Sequence, residues 1–320
     1  MAYDTLYTMD DLRTMQAWDL DRKIQVTQTR IMEWYMRFNG QVYVSFSGGK
    51  DSTVLLDLAR RIYPDIPAVF SDTGLEYPEI KAFVKSQENV TIVRPEKSFK
   101  QVILEHGYPV ASKEISRKIK YAKKGADWAK KYIDGTAVDS EGRPSRYRVS
   151  DRWLRLMDAP FDVSDYCCMI MKKRPLQRYE KETGRKPIMA TMADESNIRI
   201  HAWMRTGCNA FDSAKQHSKP MSFWTEQDVL QYIKRYNIPY CDVYGSIEKI
   251  SEQSDLLRTT KCSRTGCMFC MFGCHLEKEP NRFQRLKETH PKVWEYCMKP
   301  VSMGGLGLKD VLDYIEVPYE

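Results

Sequence analysis

A chain of 320 residues, 42% hydrophobic and 29% charged, is long enough for one large domain or two of ordinary size and reads as an ordinary soluble globular protein. Nowhere do about eighteen apolar residues run together, and residues 1 to 20 carry acids without a long apolar core, so neither a membrane span nor a signal peptide is expected and the protein is placed in the cytoplasm. The formal charge of +7 is concentrated in one segment, because thirteen Lys or Arg stand against six acids between Lys113 and Arg155. Such a segment suits a polyanion such as nucleic acid, and equally a solvated lysine-rich helix with a loop.

Residues 9 to 38 carry apolar side chains at helical spacing, with Gly40 as a stop, and predict one or two helices in an N-terminal block, 1–39. Apolar bursts at 42–46, 67–71, 90–94 and 187–192 then alternate with helical patterns near 52–63, 78–87 and 98–106. Strands alternating with helices predict an α/β fold with a doubly wound, mostly parallel sheet, here over 40–230. The basic insertion at 107–160 interrupts it, and "DGTAVDSEGRPSR" within it reads as an exposed loop. A further helix is expected from Thr225, a residue able to cap it, with Asp228 three positions on and Pro239 beyond its end. The rest, 231–320, is expected to be helical and cysteine-rich, with helices near 280–298 and 308–315.

"SFSGGKDST" lies between the first strand and the next helix, where a doubly wound sheet binds ligands. Gly48 and Gly49 permit close approach, the free amides of the helix start face an anion, and Lys50 adds charge for phosphate oxygens. Asp51 is placed to hold Mg²⁺, and Ser47 and Ser52 to donate to phosphate. The Walker pattern is absent, since Asp follows Lys50.

Nine cysteines in a chain of this composition point to metal or redox chemistry rather than a disulfide framework. Cys167 and Cys168 are adjacent, and Cys267 and Cys270 form a distant C-x-x-C. Two thiolates from each of two segments supply four soft ligands, which suits an iron–sulfur cluster, with structural Zn²⁺ or free redox thiols as the alternatives. Cys262 and Cys274 offer substitutes for one of the tandem pair. Cys208, Cys241, Cys297 and His275 read as structural.

The stretch "SGGKDS" resembles the signature of the PP-loop ATP pyrophosphatases, and "FSDTGLEYPEIKAF" resembles the second-strand motif of their phosphoadenosine phosphosulfate (PAPS) reductase branch. "CCMIMKKRPL", "ADESNIR" and "PMSFWTEQDVLQYIKRYNIPY" agree in order, so the resemblance spans most of residues 40 to 275. It implies an adenine nucleotide with phosphates on Ser47, Gly48, Gly49, Lys50, Asp51 and Ser52 and adenosine near Asp72, Thr73 and Gly74. It also implies that Glu195, Ser196 and Arg199 line the same cleft, Arg199 as a fork for an anionic group. The tandem pair with the C-x-x-C is similar to the [4Fe–4S] site of bacterial sulfonucleotide reductases.

Those reductases have a worn loop without the lysine and use a cysteine in a C-terminal "ECG" segment, whereas this sequence keeps Lys50 and has no cysteine after Cys297. The intact loop implies ATP cleaved between its α and β phosphates, with Lys50, Asp51 and Arg199 catalytic and AMP passed to an acceptor. PP-loop proteins that carry both this loop and an iron–sulfur cluster include tRNA thiolation enzymes and the DNA phosphorothioation PP-loop protein. That implies sulfur transfer, with a sulfur donor or reductant protein as partner and nucleic acid as a candidate substrate. Reduction of PAPS or adenylylsulfate, and nucleotide binding without chemistry, are the alternatives.

Overall fold

The computed structural model describes residues 5–320, so the expected N-terminal block begins with four residues outside it. The chain divides into two compact units along lines other than the three successive blocks expected. One unit takes the residues up to Asp72, Glu76–Arg94 and Pro175–Thr265; the other takes Thr73–Leu75, Pro95–Arg174 and Gly266–Glu320.

The first unit holds the six-stranded sheet. Its strands are β1 Val42–Ser45, β2 Ala68–Ser71, β3 Val90–Val93, β4 Lys186–Met189, β5 Asn209–Ala210 and β6 His217–Ser218. They lie in the order β3-β2-β1-β4-β6-β5, parallel throughout except for the β5–β6 pair. Val42, Val44, Ala68, Phe70 and Ile188 are buried with Val54, Leu55 and Leu58 of helix α3, Lys50–Arg60. Burial of both faces explains why these strands read as short apolar runs rather than as alternating patterns. The order reverses between β1 and β4, and the crevice beyond their carboxyl ends is where such sheets take ligands.

Two further helices, Met9–Gln16 and Leu20–Arg37, precede the sheet in sequence and belong to the same core through Leu12, Ile31 and Trp34, which is why the block 1–39 is no separate region. Lys23, 2% exposed, reaches Asp228 at 2.7 Å and donates to the Gln16 carbonyl at 2.7 Å. Trp224 Nε1 donates to Thr27 Oγ1 at 2.8 Å. Asp228 also closes the capping box with Thr225 at the head of the helix Glu226–Tyr236, which Asn237 ends in a left-handed conformation. Position 231 therefore falls inside a helix of the first unit, and the segment beyond it also holds a hairpin, Ile247–Lys249 with Leu257–Thr259, where only helices were expected.

The second unit is mainly helical. Phe99–His106, Lys113–Lys123 and Asp127–Ile133 come from the middle of the chain, and Arg282–Thr289, Pro291–Met298 and Leu308–Tyr314 from its later part. Pro291 splits the single helix expected over 280–298, since it opens a new one after His290. Ile119, Ala129, Leu156, Met171, Phe283 and Leu312 are among its buried residues. Much of "DGTAVDSEGRPSR" is exposed, as expected, though Val138 and Pro144 pair across it.

Candidate functional site

In the first unit, β1 ends at Ser45 and the chain turns through Phe46–Gly49 into α3, with Gly49 as its N-cap. Gly48 has φ +71°, and a Cβ there would come within 2.8 Å of Val84 and 2.9 Å of Ile80, so only glycine lets the turn lie against the helix Pro78–Lys85. Ser47 and Ser52 tie the turn together. Their hydroxyls are 2.9 Å apart, the Ser47 amide donates to Ser52 Oγ at 3.2 Å, and Ser52 Oγ donates to the Gly49 carbonyl at 2.9 Å. The loop's shape is thus set by bonds among its own groups.

Lys50 is 4% exposed. Its ammonium donates to the Ser263 carbonyl at 2.9 Å, stands 3.1 Å from Glu226 and 3.6 Å from Asp51. Asp51 Oδ1 is buried and, among the described residues, has no hydrogen-bond partner. Burial holds the Asp51 carboxyl above its usual range although Lys50 pulls it down. An orphaned carboxylate oxygen at a phosphate loop fits a divalent cation.

Arg199 pairs with Glu195, whose other oxygen is 3.8 Å from Arg264. The Arg199 guanidinium is held below its ordinary range by burial and then by Arg264, and Lys219 is lowered by burial and then by Arg199. Mutually repelling, partly desolvated cations gain from an anion among them. Ser196 precedes the helix Asn197–Thr206 and makes no side-chain cap to it. Asp72 is differently engaged, with Lys81 at 2.7 Å and Arg94 at 3.2 Å. Thr73 and Gly74 fall in the second unit, where Thr73 Oγ1 accepts from the Leu75 amide at 3.2 Å. The first unit therefore gathers Ser47–Ser52, Glu195 and Arg199, while Asp72 enters a separate ion-pair cluster.

Five participants carry no signal in the sequence. Tyr244 Oη accepts from the Lys50 amide at 3.3 Å and lies 3.2 Å from Thr265 Oγ1; Glu226, Ser263 and Arg264 complete the set. Glu226 stands in a stretch legible as a helix start, and Ser263 and Arg264 in "CSRTGC", whose evident signal is its thiols.

In the second unit, Cys167 and Cys168 open a helical stretch that continues as a π turn, Met169–Lys173, a widened geometry that recurs at functional sites. Cys267 and Cys270 face across a turn in which the Cys270 amide donates to the Cys267 carbonyl at 3.2 Å. Arg282 donates to the Cys270 carbonyl at 2.8 Å. The Cys168 thiol is drawn down to about 5, chiefly by a hydrogen bond from Cys167 and then by Lys113 and Lys172. Cys167 is pushed up by that same bond, by burial and by the fields of Cys168, Cys267 and Cys270. The four thiols expected as ligands thus act on one another electrostatically. Among the described residues no group of three or more His, Cys, Asp or Glu side chains stands close enough to hold a metal ion, so as placed they do not form a closed single-ion site.

Cys274 is buried, pushed up to about 12 and bonded to the Met271 carbonyl at 3.1 Å, whereas Cys262 belongs to the first unit. Cys208, Cys241 and Cys297 are buried with raised thiols. The basic segment is less exposed than its count suggests. Lys118 and Lys120 are 5% and 6% exposed, Lys120 pairs with Asp165 at 2.6 Å and lies 3.2 Å above the Tyr166 ring, and Lys118 pairs with Glu114 at 2.5 Å. No helix of the described residues is long and apolar enough to cross a membrane.

Residues 41–272 match the family model described as "Phosphoadenosine phosphosulfate reductase domain". The adenosine 5'-phosphosulfate reductase of Staphylococcus haemolyticus is 26% identical over 78% of this chain and 87% of its own length. The phosphoadenosine 5'-phosphosulfate reductase of Alkalilimnicola ehrlichii is 21% identical over 67% of this chain and 69% of its own. An uncharacterized protein of Methanocaldococcus jannaschii, MJ0066, is 24% identical over 83% of this chain, which spans only 42% of that longer protein.

Proposed function

The chain belongs to the phosphoadenosine phosphosulfate reductase domain family, and from that membership we propose that it is an enzyme of sulfonucleotide chemistry whose first unit holds an adenine nucleotide by Ser47–Ser52. The observation that carries this reading is the internally bonded loop at the sheet's switch point, with Lys50 at the head of its helix and Arg199 within the field of Asp51. Reduction of adenylylsulfate or PAPS is the reaction that the named relatives favour. In it a thiolate attacks the sulfonate sulfur, the S–O bond to the nucleotide phosphate breaks, and the nucleotide leaves as an oxyanion. A second thiolate then attacks the thiol-derived sulfur of the resulting S-sulfonate, breaking its S–S bond, releasing sulfite and forming a disulfide, so two thiols supply both electrons. Cys274 is buried with its thiol pushed up to about 12, which favours an external thiol protein over Cys274 as donor.

Lys50 favours a second reading, cleavage of ATP between its α and β phosphates. Lys50 would neutralise the departing pyrophosphate, Mg²⁺ on Asp51 would neutralise it further, and Arg199 would hold the α-phosphate during AMP transfer to an oxygen nucleophile. The exposed remainder of the Lys113–Arg155 cations would suit a nucleic-acid acceptor for that reaction.

Cys167, Cys168, Cys267 and Cys270 would hold a [4Fe–4S] cluster. Two thiolates from each of two segments are the soft donor set that suits such a cluster, with structural Zn²⁺ as the alternative. Bound, it would supply a centre of four thiolate-ligated irons. Incubating anaerobically reconstituted protein with adenylylsulfate, PAPS or ATP plus thiol reductant, and assaying sulfite and pyrophosphate, tests both reactions. Sulfite from either sulfonucleotide supports the first, pyrophosphate from ATP the second, and neither product from any substrate removes the catalytic reading.

A further inference from the structure

Three consecutive residues of the first unit, Ser263, Arg264 and Thr265, each touch a different part of the phosphate site. The Ser263 carbonyl accepts from Lys50 Nζ at 2.9 Å, Arg264 stands 3.8 Å from the Glu195 carboxylate that pairs with Arg199, and Thr265 Oγ1 lies 3.2 Å from Tyr244 Oη. Tyr244 Oη in turn accepts the Lys50 amide, one of the free donors at the head of α3. The groups that would bind phosphate are thus engaged by neighbouring protein groups.

The engagement is of a kind that a polyanion reverses. Ser263 and Arg264 are exposed, so lifting them uncovers little apolar surface, and the Ser263 carbonyl can be taken up by water. The contacts named here are polar, and two of them link an already charged group to a neutral or distant partner. An ammonium gains more from an ionised phosphate oxygen than from a neutral carbonyl. Glu226, 3.1 Å from Lys50 and itself charged, is the stronger partner and keeps the ammonium at the loop when the carbonyl leaves. The segment is anchored behind by Thr259 Oγ1, which donates to the Cys262 carbonyl at 2.9 Å, and continues in sequence to Gly266 and Cys267.

We propose that Ser263–Thr265 is a displaceable strap over the phosphate loop, a positioning segment that holds Lys50 and Tyr244 until the nucleotide's phosphates exchange for it. This rests on the reading that the loop binds nucleotide phosphates. A strap competing with ligand lowers apparent affinity by the fraction of molecules in which it is closed, so loosening it tightens binding. Catalysis enters only through the position of Lys50.

Hydrogen exchange of the backbone amides over 260–266, with and without saturating inorganic pyrophosphate and Mg²⁺, tests this, alongside calorimetric titration of the same ligand. Binding should speed exchange there by roughly tenfold or more while the β1 and β4 amides stay protected. Thr265→Val, which removes one anchor, should bind pyrophosphate roughly threefold or more tightly, with already fast exchange at 260–266. If pyrophosphate binds but exchange over 260–266 is unchanged or slower, the strap is overturned while the nucleotide reading stands. Equal or weaker binding by Thr265→Val also overturns it. If neither pyrophosphate nor any adenine nucleotide binds, both fall together.

Discussion

The phosphate loop of the first unit is held by its own backbone and by two of its own hydroxyls, whereas the thiols of the second unit come from two distant stretches of sequence, with a hydrogen bond inside the tandem pair and like-charge repulsion among the thiols. The loop needs no ligand to keep its shape. The Cys168 thiol is drawn down while those of Cys167 and Cys270 are pushed up, and the four would gain a common geometry with the metal. A site formed by strand, turn and helix is specified locally; a site formed by long-range closure is specified by what it binds.

That contrast can be broken most severely by removing one thiol. Cys168→Ser should abolish most iron and acid-labile sulfide after anaerobic reconstitution, whereas Lys50→Met should leave both unchanged; equal iron in both proteins would erase the distinction between the sites. Next, Lys50→Met should lower product formation from the preferred nucleotide by roughly a hundredfold to a thousandfold, because it removes a preorganised charge at the developing anion. Steady-state assay of sulfite or pyrophosphate measures it.

The frame that holds the loop offers smaller tests. Lys23→Ala leaves Asp228 as an uncompensated buried charge and should cost about 3–5 kcal/mol in the first unit's denaturant unfolding, with Lys23→Met/Asp228→Leu recovering most of it. Thr27→Val leaves Trp224 Nε1 unpaired and should cost about 1–2 kcal/mol by the same measurement. A loss of similar size from the second unit's helices would contradict the assignment of these residues to the first.

The parts legible in the sequence were those with local causes. The strands β1 to β4 announced themselves as apolar runs, and the Thr225 cap and Asp228 were read where they stand. The two-residue strands β5 and β6 carry no periodicity to read, and they form because Ser218 pairs with both Ile188 and Asn209. The partners of Lys50 were equally hidden. Glu226 and Ser263 reach it from more than one distant segment, and nothing in "TEQD" or "CSRTG" signals a lysine partner. The segment Thr73–Leu75 parts company with β2 for the same reason, since unit membership follows contacts that no short motif encodes.

The most direct test of the central claim, an adenine nucleotide on the Ser47–Ser52 loop, is equilibrium titration of adenylylsulfate, PAPS and Mg²⁺–ATP into the parent protein and into Lys50→Met. Saturable binding of at least one nucleotide by the parent, weakened roughly tenfold or more by Lys50→Met, is the predicted result. Undiminished binding by Lys50→Met, or no binding of any of the three by the parent, would contradict it.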